Sequence, residues 1–215
     1  KQRKVRILNG AHTSMVLGAY LAGQDIVRDC MKDDVIRGYM NQAIYKEIIP
    51  TLTLPEEELM SFAASVTDRF QNPFIDHALL SISLNSTAKW KARVLPSLEG
   101  YLEKTGQVPP CLSASLAFYL AFYKGIGFVD ATFTGDRNGK NQYPISDDPK
   151  VLEFYDAHKD DSAADYVHAI LSETSFWGKD LTTLAGLEET VVKDFTFIQE
   201  KGCYELMKQI VNAAE

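Results

Sequence analysis

Apolar positions recur along most of the chain at intervals of three and four residues, the spacing of a helix with one face in a core. Met15, Leu17, Leu21 and Ile26 mark a first long helix, with Gly18, Ala19, Ala22 and Gly23 small enough to let a neighbouring helix approach. Asp33 or Asp34 is placed to cap a second helix carrying Val35, Ile36, Tyr39, Met40, Ala43, Ile44 and Ile48, stopped by Pro50. Pro55 followed by Glu56, Glu57 and Glu58 is a strong helix start, because the acids suit the positive end of the helix dipole; this helix is expected to reach Arg69 or Phe70. Further helices are predicted over 74–85, 88–104 (bent near Pro96 and ended by Gly106), 111–124, 148–158, 161–176, 187–200 and 203–214. The stretch from Gly125 to Pro149 breaks the pattern. Phe128 to Thr134 alternates with the period of two expected of a strand, and Asn138-Gly139 is a favoured pair for a tight turn. The expected fold is mainly α: one multi-helical domain over 1–215 with a small β-hairpin inserted near 128–145. No repeat, low-complexity tract or linker divides it.

Composition agrees with one packed domain: 215 residues, 46% hydrophobic and 24% charged. Lys plus Arg number 22 against 29 Asp plus Glu, a formal charge of −7 that disfavours nonspecific binding to nucleic acid or anionic lipid. No apolar run approaches the roughly 18 residues of a membrane span, so neither a membrane nor a nucleic-acid partner is expected. Cys30, Cys111 and Cys203 are far apart, form no CxxC pair and suggest a reduced, cytoplasmic setting. The chain opens on Lys1 without a signal peptide and reads as a piece of something longer.

Several suggestive patterns fail on inspection. Gly125-Ile-Gly127 lacks the third glycine and the strand–helix context of a dinucleotide loop, and reads as a helix exit. Asp136 to Asp147 opens like a calcium loop, but Lys140 and Asn141 stand where a ligand and a glycine are needed. His158 and His168 are isolated, so no metal site is expected. Tyr119, Phe122 and Tyr123 are read as core, and Asp160 and Asp161 as capping or solvated acids.

The first dozen residues are unusual. Lys1, Arg3, Lys4 and Arg6 lead directly into Asn9-Gly10-Ala11-His12. On a helix turning about 100° per residue, Asn9 and His12 lie one turn apart and Lys4 about 80° from His12. A lysine, an amide and an imidazole on one cleft could move a proton and hold a carbonyl or alkoxide oxygen. The spacing fits equally a solvated basic helix start with a packed Asn and His.

Lys4-x-x-x-x-Asn9-x-x-His12 resembles the catalytic signature of the mannitol dehydrogenase family, the polyol-specific long-chain dehydrogenases. Arg69-Phe-Gln-Asn72-Pro73-Phe-Ile-Asp76, then Asn85-Ser86 and Lys89, resemble that family's Asn-Pro-x-Ile-Asp segment and the basic stretch after it. The likeness runs over essentially the whole chain. It implies a helical C-terminal domain of the kind found in 6-phosphogluconate dehydrogenase-like enzymes, supplying the catalytic groups. The partner it implies is the protein's own N-terminal Rossmann domain, lying before Lys1 and binding NAD. By the resemblance Lys4 is the general acid/base, Asn9 and His12 polarise the reacting oxygen, the substrate is a small keto sugar acid, and no metal takes part. Polyol-oxidising members carry an arginine just after the Asn-Pro-x-Ile-Asp segment, whereas residues 77–83 here contain none. A substrate carboxylate would need a cation from elsewhere: Lys89 first, then Lys91 or Arg93, with His77 and Asn85 as further substrate contacts. The remaining alternative is a helical folding or dimerisation module with no catalysis of its own.

Overall fold

The computed structural model describes residues 1–72 and 76–214. Two helices that are buried nearly all round, α1 (Gly10–Leu21) and α8 (Pro110–Tyr123), cross at its centre. A β-carbon at Gly18 would lie 2.6 Å from the Phe118 ring, so glycine there permits the close approach expected from the small residues of α1. Around this pair lie α2 (Val27–Lys32), α3 (Asp34–Gln42), α4 (Glu56–Phe70), α5 (Leu79–Ile82), α6 (Ser86–Arg93) and α7 (Leu95–Thr105). After a small sheet follow α9 (Pro149–Ala157), α10 (Ala163–Leu171), α11 (Thr174–Trp177), α12 (Leu187–Lys201) and α13 (Cys203–Ala213). α12 packs on α8 opposite α1, and α13 closes over α3.

Local signals account for many of these boundaries. The Asp33 carboxylate accepts from the backbone N–H groups of Val35 and Ile36, as its N-cap position predicts. Gly106, at φ +70°, ends α7 in the left-handed conformation. Pro109-Pro110 offers α8 no side-chain cap, and the buried Glu47 supplies one from a distant segment by accepting from Cys111 and Leu112 N–H at 2.9–3.0 Å. Burial raises the Glu47 pKa.

Several expectations are corrected, among them the single helix over 88–104, which is two, α6 and α7, parted at Val94. The first helix stops at Leu21 rather than running to Ile26; Ile26 instead pairs with Ala78 in an antiparallel bridge. That bridge, with Val27 N–H on His77 carbonyl and Leu79 N–H on Asp25 carbonyl (2.9 Å each), also holds 77–79 extended at its start. The helix expected over 74–85 is therefore only the turn Leu79–Ile82; positions 73–75 lie outside the described residues. The 161–176 helix is two, α10 and α11, separated at Ser172 and Glu173.

The β insertion holds two hairpins rather than one. β1 (Gly127–Val129), β2 (Thr132–Arg137) and β3 (Asn141–Pro144) form an antiparallel meander in the order β1-β2-β3. Asn138 and Gly139 turn with φ +60° and +70°, as their sequence predicts. Asp130 and Ala131 make a second reversal with φ +48° and +65°, cutting the alternating run Phe128–Thr134 in two. Arg137 ties the meander to α1. Its guanidinium lies 4.3 Å over the Tyr20 ring and donates to the Tyr20 and Gln24 carbonyls and to Asp25.

Tyr119, Phe122 and Tyr123 are core residues, as read. The three cysteines are buried free thiols. No described helix is long and apolar enough to cross a membrane.

Candidate active site

The approach to α1 is wound more widely than an α-helix. Over Lys4–Asn9 the backbone forms a π-helical turn, closed where Gly10 N–H reaches the Val5 carbonyl five residues back. Such a turn advances about 82° per residue instead of about 100°. On a regular α-helix Lys4, Asn9 and His12 spread over a sector of about 140°; with the wide turn they occupy about 60°. The wide turn thus narrows the angle that the three positions span around the helix axis, although neither Lys4 nor Asn9 is among the residues that line the cavity beside His12.

The neighbouring cations are drawn off that face. Arg3 pairs with Glu58 of α4 and lies 5.3 Å from the centroid of Phe62. Arg6 donates to Ser97 and Thr51 at 2.7 Å each. Lys4 is exposed and, among the described residues, has no hydrogen-bond or ion-pair partner. Asn9 is half-buried, and no hydrogen bond links Lys4, Asn9 and His12 to one another.

His12 lies in the wall of a cavity of about 260 Å³ lined by Leu8, His12, Val27, Arg69, Phe70, Asn72 and His77. Its ring stacks on Phe70 with centroids 4.1 Å apart and planes 16° from parallel; His77 meets it edge-on at 6.4 Å. Burial, then His77, then Arg93 push the His12 pKa down to about 4, so the imidazole is neutral at neutral pH. Among the described residues its buried Nε2 has no hydrogen-bond partner. A neutral imidazole beside a ligand-sized space can present a donor or an acceptor to a bound oxygen.

The second set of predicted residues lies on and beside α6. Asn85 is exposed at its start, in the left-handed conformation (φ +56°), and its N–H donates to the Ser146 carbonyl at 3.0 Å. That backbone explains an asparagine there without any ligand. Lys89 Nζ donates to the Ile82 carbonyl at 2.8 Å, and burial together with Arg93 lowers its pKa. Arg93 ends the helix against α1: a β-carbon at Gly10 would lie 3.0 Å from the Arg93 carbonyl oxygen. Lys91 faces elsewhere, with Nζ 3.4 Å from where a β-carbon of Gly178 would stand, in a separate cleft with Asp147 and Lys150.

Phe70 and Arg69 belong to the quoted sequence block, yet sequence reasoning took them only as the end of a helix. The helical period of α4 could not reveal that Phe70 becomes the stacking partner of His12. Arg93 did carry a signal: it follows Lys89 by four residues, one turn along the same face. Among the described residues no group of three or more His, Cys, Asp or Glu could hold a metal.

Residues 1–199 match the family model for the mannitol dehydrogenase C-terminal domain. The chain belongs to this family. Among curated relatives it is 43% identical over 216 residues to an altronate oxidoreductase from Klebsiella pneumoniae, covering 98% of this chain and 42% of that protein. A Yersinia enterocolitica altronate oxidoreductase is 42% identical over 208 residues, covering 94% and 41%. The mannitol dehydrogenase C-terminal domain described here therefore spans about two fifths of those relatives' length. Its fold matches a Pseudomonas fluorescens mannitol 2-dehydrogenase, solved as a ternary complex with NAD and D-mannitol, at a TM-score of 0.84, with 20% identity over 98% of this chain and 40% of that one. A D-sorbitol dehydrogenase matches at 0.78, with 21% identity over 96% and 40%. The expected mainly helical fold with a small β insertion is the one these neighbours share.

Proposed function

We propose that this chain is the substrate-binding and catalytic domain of an NAD-dependent reductase of keto sugar acids, converting tagaturonate to altronate. The observation that supports the reading is the widened turn at Lys4–Asn9, which narrows the angle that Lys4, Asn9 and His12 span around the helix axis. The 43% identity to an altronate oxidoreductase supports the substrate class. The relatives' greater length supports an N-terminal Rossmann domain as this domain's partner.

The described residues do not themselves form a dinucleotide site. Their one sheet is a three-stranded antiparallel meander, and Gly125 and Gly127 stand where α8 passes into β1 rather than between a parallel strand and a helix. NADH, held by the partner domain, would supply the hydride and leave as NAD. This chain handles the oxygen and its proton. Asn9 donates its amide N–H to the carbonyl oxygen, and neutral His12 adds a second hydrogen bond through its ring. As hydride reaches the carbon, the C=O π pair moves onto oxygen and Lys4 gives that oxygen its proton, leaving the neutral amine and a hydroxyl. In the reverse direction Lys4 takes the hydroxyl proton. Lys89 supplies positive charge on the substrate side, while His77, at the cavity mouth, and Asn85, at the start of α6, offer further polar contacts.

The test is oxidation of NADH by the full-length protein with tagaturonate, fructuronate and fructose in parallel. Turnover led by tagaturonate is expected. A lead for fructuronate or fructose moves the assignment to a fructuronate reductase or a mannitol dehydrogenase, and no turnover with any of them overturns the reading.

A further inference from the structure

The chain has seven arginines, and five have acceptors. Arg3, Arg28, Arg37 and Arg137 pair with Glu58, Asp76, Asp34 and Asp25, and Arg6 donates to two hydroxyls. Arg69 and Arg93 alone have neither a hydrogen bond nor an ion pair among the described residues, and both adjoin His12. Arg69 is exposed, where water satisfies it. Arg93 is half-buried, and its loss of solvent is enough to lower its pKa.

A half-buried guanidinium with five donors and no acceptor among the described residues is left partly to water, in a chain with a formal charge of −7 and acids to spare. Arg93 has not been left loose. Its carbonyl is packed against Gly10, so the end of α6 sits beside the Asn9–His12 segment. Lys89 lies one turn earlier on the same face, with one proton of its ammonium committed to the Ile82 carbonyl. Like charges four residues apart on a helix repel, and an anion between them removes the conflict.

We propose that Arg93, with Lys89 one turn before it, binds the substrate carboxylate and so makes this site selective for a sugar acid over its uncharged counterpart. The inference rests on the proposed function for the identity of the substrate. Guanidinium is suited to the task because its planar fork meets a carboxylate through two parallel hydrogen bonds. Anchoring that end of the substrate fixes where the carbonyl falls relative to Asn9 and His12. It also supplies the cation that the segment 77–83 lacks.

The experiment is calorimetric binding of altronate and of the uncharged polyol altritol to full-length protein, unmodified and as Arg93→Leu, Arg93→Lys and Lys91→Ala. Arg93→Leu is expected to weaken altronate about 10-fold or more, the loss usual when a charge-assisted hydrogen bond is removed. Altritol is expected to change far less. Arg93→Lys keeps the charge without the fork and falls between, which decides the matter even where the leucine variant does not fold. Lys91→Ala, on the same helix but facing the other cleft, is expected to leave both ligands unchanged. Undiminished altronate binding in Arg93→Leu and Arg93→Lys overturns the proposal. Equal losses for altronate and altritol overturn it too, since they mean a purely structural role. Because binding is read without turnover, altronate binding that depends on Arg93 in a protein inactive toward all three keto sugars upholds the carboxylate site and sinks the proposed reaction instead.

Discussion

Helix α6 takes part in two clusters of polar side chains that the fold treats in opposite ways. At its start, Thr87 joins a closed network: Asp147 Oδ2 accepts from the Tyr123 hydroxyl at 2.5 Å and the Thr87 hydroxyl at 2.9 Å. Thr87 also meets the Tyr119 hydroxyl at 2.6 Å, and Ser86 N–H donates to Tyr123 at 3.1 Å. At its other end, among the described residues, Arg93 has no acceptor and the nearby His12 Nε2 has no partner. Both clusters contain buried or half-buried groups, which cost free energy when left unpaired. The first is paired by the fold itself and holds the core together. In the second, the groups have no partner among the described residues, which is what the proposed carboxylate site rests on. The contrast is between polar groups whose partners the fold supplies and polar groups whose partners it does not.

The largest expected effect falls on the open cluster's chemistry. Lys4→Ala in the full-length protein is expected to lower kcat by about 10²–10⁴-fold, the usual contribution of a positioned acid/base. The unfolding midpoint is expected to stay put, because Lys4 is exposed and unpartnered among the described residues. A large drop in stability would place Lys4 with the structural cluster and break the contrast.

The closed cluster is expected to respond in the reverse sense. Asp147→Ala strands the Tyr123 and Thr87 hydroxyls, and urea unfolding is expected to show a loss of about 2–4 kcal/mol. An alanine variant of full stability would mean that the network is not holding the core.

Acid titration sharpens the comparison further. With the His12 pKa near 4 in the fold and about 6.5 unfolded, its contribution to stability is fully present above about pH 6.5. It is lost as pH falls toward 4, by no more than about 3 kcal/mol. Asp194 acts in the opposite direction: burial raises its pKa to about 7, so its contribution is present at low pH and is lost as pH rises from about 4 to about 7. The two slopes oppose each other over most of that window. Unfolding measured from pH 4 to 7 is expected to show stability falling with rising pH in His12→Gln and rising with it in Asp194→Asn. Identical profiles for the two variants would contradict both assignments.

The smallest effect is expected at Phe70. Phe70→Leu removes the ring stacked on His12, at a cost of about 1 kcal/mol of stability beyond lost area. KM is expected to rise more than kcat falls, because the ring sets where the imidazole lies. A change confined to kcat would mean that Phe70 acts on the reacting atoms rather than on His12's position.

Wherever the information is local, chain order was enough. The Asp33 cap, the Glu56–Glu58 start of α4, the Gly106 stop and the Asn138-Gly139 turn each depend on residues within a few positions of one another. The spacing of Lys4, Asn9 and His12 allowed a site or a solvated helix start alike, and only the resemblance to the family singled these residues out. Tertiary structure decided whatever depended on distant partners. Ile26 left its helix because Ala78, from far along the chain, took its place in a bridge. Asp130-Ala131 turned because β1 had to pair with β2, against the local preference of alanine. The wide turn before α1 follows no local signal read from the sequence. It accompanies the anchoring of Arg3 and Arg6 on α4, Thr51 and Ser97. The sequence by itself determined the local caps and turns and which chemistry-bearing residues exist. Packing between distant segments determined which of them were satisfied and which were left without a partner among the described residues, because a polar group's partner is set by what folds against it and not by its neighbours in the chain.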